Sequence, residues 1–330
     1  MASRNALSIA AGAVLLLAVA WASLSVGSEP VAVGQGLWAW WQGALTPEAL
    51  IVGEVRLPRT LLALGVGAAL GAAGAALQGL LRNPLAEPGL TGASQGAALG
   101  AAAVFYHGWW AWAGALAVPM AAMLGAALTL LFMLVLAGSA RASMVIMAGL
   151  AVATVSGALL ALVLNYAPNP FAMQELVYWL MGSVADRGLN EVGWLAGALL
   201  LGSALLWSQR RLLAALSLGD VVADSLGMNV RWGARLVVLG SAVLVGGSVA
   251  VAGSIGFVGL IVPHLVRPWV GHRPDRLMGP SALLGAVLVC VADMVVRSLP
   301  GLQELKLGVL TSLLGAPVFI WLVWRERVRW

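Results

Sequence analysis

Arg56-Leu57-Pro58-Arg59, Arg82-Asn83-Pro84-Leu85-Ala86-Glu87-Pro88-Gly89 and Thr91-Gly92-Ala93-Ser94-Gln95-Gly96-Ala97 frame the stretch that decides the fold. Between the first two lies an apolar Gly/Ala-rich segment, 60–81. It is long enough to cross a bilayer, which takes about 20 mostly apolar residues. Two arginines stand before it, a Pro-rich polar loop follows, and a second Gly-rich apolar segment then begins. Small residues recur at every fourth position in the first segment (Gly67, Gly71, Ala75, Gly79) and open the second (Gly96, Gly100). That spacing lets helix backbones approach closely in lipid.

The rest of the chain repeats this character. Of 330 residues, 61% are hydrophobic and 9% charged, against about 25% charged in a soluble domain. The composition is that of an all-α polytopic membrane protein, read as one transmembrane domain over 1–330 with no soluble appendage. Candidate spans lie at 6–26, 60–81, 90–106, 112–137, 144–166, 191–208, 233–252, 278–297 and 306–324, with a shorter, Pro263-broken stretch at 256–271. The first run is read as a retained span rather than a cleaved signal peptide, whose apolar region covers only ~7–15 residues.

Basic residues decide whether 256–271 crosses. With ten crossings and both termini in the cytoplasm, thirteen basic residues fall inside: Arg4, Arg82, Arg141, Arg210, Arg211, Arg231, Arg235, Arg267, Arg273, Arg276, Arg325, Arg327 and Arg329. Five fall outside: Arg56, Arg59, Arg187, Arg297 and Lys306. Positive-inside asymmetry selects this ten-helix arrangement. It also accounts for the pI near 10.3 without a nucleic-acid partner. Two segments stay out of the membrane. Residues 167–182 read as a short amphipathic helix at the outer mouth, with Pro170 in its first turn and Gly182 ending it. Residues 218–227 read as a short cytoplasmic helix, with Asp220 as N-cap and Gly227 as its stop.

Several chemistries are excluded. No Gly-x4-Gly-Lys-Ser/Thr phosphate loop occurs, and the sole lysine is Lys306, so ATP hydrolysis needs another polypeptide. Cys290 is the only cysteine, which rules out an internal disulfide and a Cys-based metal site. A secondary transporter or channel needs intramembrane charges. Asp293 is nearly alone in that role, and Arg297 one helix turn on is its natural local partner. A membrane-embedded enzyme needs a catalytic cluster, and none is visible.

Two further motifs complete the pattern: Gly253-Ser254-Ile255-Gly256-Phe257-Val258-Gly259-Leu260-Ile261-Val262-Pro263-His264-Leu265-Val266-Arg267, and Leu310-Thr311-Ser312-Leu313-Leu314-Gly315-Ala316-Pro317-Val318-Phe319. Together with the opening stretch, in order from Arg56 to Trp324, they resemble the FecCD/BtuC-like permease subunits of ABC importers for heme, ferric siderophores and cobalamin. The Arg82–Gly89 and Leu310–Gly315 stretches look closest to heme permeases. One departure is Lys306, where the family has proline before its last span.

The resemblance implies a homodimer in a bacterial inner membrane, two separate ATPase subunits that bind the ATP-Mg, and one periplasmic substrate-binding protein. The permease itself binds no cofactor or metal. It implies docking of the binding protein at Arg56, Arg59 and Arg297. It matches Asp220, Val221, Asp224, Leu226 and Gly227 to the helix that couples to the ATPase, and Asn83, Leu85 and Ser143 to a cytoplasmic gate. Asn165, Tyr166, Gln174 and Glu175 are the polar candidates for the outer pathway. His264, within a motif shared across cargoes, is expected to make a structural hydrogen bond rather than ligate heme. His107 lies near the outer mouth, where it is expected either to touch a substrate or to serve as a loop residue.

Overall fold

The structure is a computed structural model that describes residues 2–87, 89, 92–138, 142–299 and 304–327. Arg141 and Arg329 lie outside the described residues, as do the side chains of Arg4, Ser143, Arg325 and Arg327.

Among the described residues every regular element is a helix. In chain order they are α1 (Ala2–Ser25), α2 (Val33–Trp41), α3 (Pro47–Leu50), α4 (Leu57–Leu81), α5 (Ala93–His107), α6 (Ala117–Ala137), α7 (Ala142–Asn165) and α8 (Pro170–Leu180). Then follow α9 (Leu189–Ser208), α10 (Arg210–Leu216), α11 (Asp220–Ser225), α12 (Val230–Ala252), α13 (Val258–Val270), α14 (Pro274–Ser298) and α15 (Leu307–Arg327).

α4 is the axis of the bundle. Every residue from Ala69 to Leu80 is buried, as expected of a helix that is apolar all round. It packs against α14, α12, α13 and α9. The small-residue stripe does what its spacing predicts. A Cβ at Gly67 would collide with the Gly285 backbone, at Gly71 with the Ser281 carbonyl, and at Gly79 with the Pro274 ring; Gly74, off the stripe, meets Gly259 in the same way. Gly96 and Gly100 on α5 meet α6 in the same way, at Gly125 and Ala121. Close packing of this kind gains dispersion energy where lipid offers no hydrophobic driving force.

The helix bearing the opening arginines starts earlier than the apolar pattern indicates. It runs without a break from Pro47 to Leu81, a continuous 35-residue segment. Thr46 caps it by accepting the Ala49 N–H at 3.3 Å. Residues Ile51–Arg56 form a π turn, in which the Leu57 N–H donates to the Val52 carbonyl. Pro58 has no N–H to complete the normal α ladder, and the widened turn absorbs that loss.

Among the described residues six helices are long and apolar enough to cross a membrane, and Ala10–Ser25, Val258–Val270 and Leu307–Leu322 are shorter apolar helices. The protein is thus a multi-pass integral membrane protein. Two of the expected spans are short. α5 has 15 residues and α13 has 13, lengths of roughly 22 and 20 Å at ~1.5 Å per residue. Residues 82–87 leave the helix before α5, and residues 253–256 are non-helical before α13. Gly92, just ahead of α5, packs on Val152 and Ala153, midway along α7. The span expected at 112–137 is also divided. A 3-10 turn, Ala111–Leu116, carries Gly114 at φ 55°, and the α-helix begins only at Ala117.

The expected amphipathic segment is α8. Asn169 caps it, accepting the Ala172 N–H at 2.9 Å, and Gly182 ends it at φ 72°.

Candidate functional site

The three opposed arginines meet at one end of the bundle, and all turn inward. Arg56 is 5% exposed. Its Nη1 donates to the Leu24 carbonyl at 2.9 Å and its Nη2 to the Glu29 carbonyl. Arg59 grips Asp293 through Nε at 3.0 Å and Nη2 at 2.8 Å, and also holds Glu304. Arg297 lies 3.1 Å from Asp293 and donates to the Ser23 and Val26 carbonyls and to Ser23 Oγ. The local Asp293–Arg297 pair therefore forms, but Asp293, 1% exposed, is shared with Arg59. A bidentate arginine fork suits this buried carboxylate. The network fastens α1, α4, α14 and the chain ahead of α15 together.

At the other end the signature motifs converge. Gln78 is buried, and its Nε2 donates to the carbonyls of Ala86, Gly259 and Leu260 at 3.3, 3.3 and 3.1 Å. Three carbonyl partners fix that atom as the amide nitrogen, which leaves Oε1 to accept from Arg267 Nη2 at 2.7 Å. Glu87 Oε1 accepts the Phe257 N–H at 2.9 Å. Phe257 sits at φ 66°, a left-handed conformation uncommon for a bulky side chain. Its ring packs against Gly315 and lies 6.4 Å from the Phe319 ring. The side chains of Gln78 and Glu87 thus satisfy backbone groups after α4 and at the start of α13. Non-helical backbone persists in a membrane protein only where protein buries it or a cavity adjoins it.

The loop after α4 also reaches the short helix α11. Arg82, itself left-handed at φ 49°, pairs with Asp220 at 3.0 Å. Asp220 is not the N-cap that the sequence indicated. Gly219 occupies that position and Asp220 is the first helical residue, because its carboxylate is turned to Arg82 rather than to the helix amides. Gly227 at φ 77° ends the turn as expected. Ala223 anchors α11 in the core, whereas Val221 and Leu226 are 82% and 61% exposed. Asp224 is exposed beside them.

In the loop itself, Asn83 Oδ1 accepts the Leu85 N–H at 2.9 Å, a local turn that holds the Asn-Pro-Leu backbone. Asn165, Tyr166, Gln174 and Glu175 are all exposed, and Gln174 Nε2 donates to the Tyr178 hydroxyl at 3.1 Å. Among the described residues no three His, Cys, Asp or Glu side chains gather as a metal site would require.

Sequence reasoning overlooked Gln78, Glu87, Phe257 and Glu304. Gln78 did carry a signal, as the one polar side chain between Leu61 and Leu81. Glu87 and Phe257 lay inside the quoted motifs, but nothing in the order of residues joined them.

A multi-pass helical bundle with paired interruptions, and a short helix that exposes Val221 and Leu226 at one end, is the architecture of a membrane permease. Residues 15–325 match the FecCD transport family, and the chain belongs to it. It is an ABC-importer permease, a transport component rather than a catalytic enzyme. It is 37% identical over 288 residues to the hemin transport system permease protein HmuU of Yersinia pestis, covering 83% of each chain. It is 40% identical over 285 residues to the vitamin B12 import system permease protein BtuC of Vibrio cholerae, covering 84% of each. A solved metal-chelate-type ABC transporter in an inward-facing conformation superposes with a TM-score of 0.84 at 32% identity, over 96% of this chain and 98% of that one.

Proposed function

We propose that the chain is the membrane-spanning subunit of an importer for a metal tetrapyrrole, heme first, moving cargo from periplasm to cytoplasm across a bacterial inner membrane. Two copies form the pathway, two separate ATPase subunits bind ATP-Mg, and one periplasmic binding protein delivers cargo. Each copy crosses ten times, with both termini in the cytoplasm. In this reading α5 and α13 complete their crossings through the interrupted segments before them.

The observation that carries the reading is the chain of contacts at the Arg82 end. Exposed Val221 and Leu226 offer an apolar contact to an ATPase, Asp220 ties that helix to Arg82, and Arg82 begins the loop whose Glu87 holds Phe257. Force on α11 thereby reaches the two interruptions in the bundle, where a gate of Asn83, Leu85 and Ser143 would open. Interrupted helices in corresponding halves are the physical mark of a transport pathway. Asn165, Tyr166, Gln174 and Glu175 line its outer mouth.

The geometry bears on docking as well. Arg56, Arg59 and Arg297 would receive the binding protein's carboxylates by exchanging the carbonyl and carboxylate partners that each holds within this chain.

Heme is favoured by the motifs shared with heme permeases and by the likeness to the hemin permease. Cobalamin is the second reading, carried by the 40% identity to a vitamin B12 permease. The test is uptake into proteoliposomes holding the reconstituted complex, with heme and cyanocobalamin offered in turn. ATP-dependent accumulation of heme alone supports the first reading, and of cyanocobalamin alone the second.

A further inference from the structure

Beyond the transport pathway, a cavity of about 520 Å3 opens at the Arg82 end between α4, α13 and the start of α14. Its volume lies in the range of small-molecule sites, roughly 300–1,000 Å3. Arg82, His264, Arg267 and His272 all line it, which brings two of the protein's three histidines to one place. No carboxylate is among its lining residues. In a chain with 9% charged residues, such a gathering of one sign is far from average.

The site is also built rather than incidental. Gln78 is 3% exposed and clamped by three carbonyls, and its Oε1 receives Arg267 Nη2 at 2.7 Å. That bond fixes a guanidinium at the cavity wall. Arg82 stands at the rim, its charge partly met by Asp220 at 3.0 Å. His264 and His272 add imidazole N–H donors, which neutral and protonated rings both supply. A planar guanidinium beside further donors is the arrangement that recognises phosphate oxygens.

We propose that this cavity binds a phosphate-bearing anion, with Arg267 as its principal contact, Gln78 as the residue that positions Arg267, and His264 and His272 as supporting donors. Two sources share that chemistry: the headgroup of an anionic phospholipid in the adjoining leaflet, and a soluble phosphate. Basic pockets between helix ends at the cytoplasmic face are suited to the former.

The experiment uses the purified full chain in nanodiscs of phosphatidylcholine with and without phosphatidylglycerol. One arm measures phospholipid retained after delipidating washes. The other follows inorganic phosphate by phosphorus NMR line broadening in the phosphatidylcholine discs. Retained phosphatidylglycerol, lowered roughly tenfold by Arg267→Gln, is the expected result, from the loss of one charge-assisted contact. Arg267→Lys should restore part of it. His272→Gln lies at an exposed position that leaves folding intact, and it should lower retention by a smaller factor. Phosphate broadening without phosphatidylglycerol retention supports the soluble source. Equal retention in parent and variants overturns the proposal. So does the absence of both signals, including the case in which Arg267→Gln only weakens co-purification of an ATPase subunit, which would make the cavity a protein contact.

Discussion

Replacing Asp293 with alanine should destabilise the end of the bundle that holds the arginine network, and the structure sets the size of the effect. Asp293 is 1% exposed and is shared by Arg59, at 2.8 and 3.0 Å, and Arg297, at 3.1 Å. Removing one partner of a buried ion pair costs about 3–5 kcal/mol, because the charge left behind stays buried. Here Arg59 keeps Glu304, and Arg297 keeps the Ser23 and Val26 carbonyls. The low end, about 3 kcal/mol, therefore applies. For a chain of this size that corresponds to a fall in Tm of roughly 5 °C.

Cys290 provides the assay. It is the only cysteine, is fully buried, and lies one turn before Asp293 on α14. A thiol-reactive dye reports its exposure as the detergent-solubilised protein is heated. Asp293→Leu combined with Arg59→Met and Arg297→Met removes all three charges at once and should recover much of the loss, since apolar replacement of a whole buried network is often near neutral. A Tm for Asp293→Ala within about one degree of the parent would refute the claim that this network holds α1, α4 and α14 together.

Asp220→Asn should leave Tm nearly unchanged, because the Arg82–Asp220 pair is partly exposed and such pairs contribute ~0–1 kcal/mol. It should still lower ATP-driven uptake per ATP hydrolysed, with the swap Asp220→Arg plus Arg82→Asp restoring part of it. Unchanged coupling would show that the pair carries no motion. Leu226→Glu places a charge on the exposed apolar surface that Leu226 shares with Val221, so co-purification of the ATPase should fall while the protein still inserts and keeps Cys290 shielded. Full co-purification would remove α11 from the interface.

Much of the bundle is legible in the order of residues, because burial in lipid leaves long apolar runs. Each of the ten candidate segments contains a helix. What the runs conceal is continuity. The segments expected from 90 and from 256 become helical only at Ala93 and Val258, after Gly92 at φ 77° and Phe257 at φ 66°. The opposite error occurs at 47–56, where Glu48, Glu54 and Arg56 break the apolar pattern although the helix runs through them.

The site was legible in composition but not in pairing. Arg59 and Asp293 lie 234 positions apart, as do elements that meet only once α4 and α14 cross. The sequence singled out the three arginines by their position at helix ends. Local sequence could not show that their forks close on carbonyls and carboxylates within the same chain. Gln78 gives the same lesson in reverse: one polar residue in an apolar helix is visible, and its three carbonyl partners are not.

The most direct test of the account is transport itself. Proteoliposomes containing this chain, its ATPase subunit and its binding protein should accumulate cargo when ATP is supplied on the ATPase side, and omission of the ATPase should abolish uptake. Accumulation driven by a proton gradient with this chain alone would contradict it, and would return the protein to the class of secondary transporters.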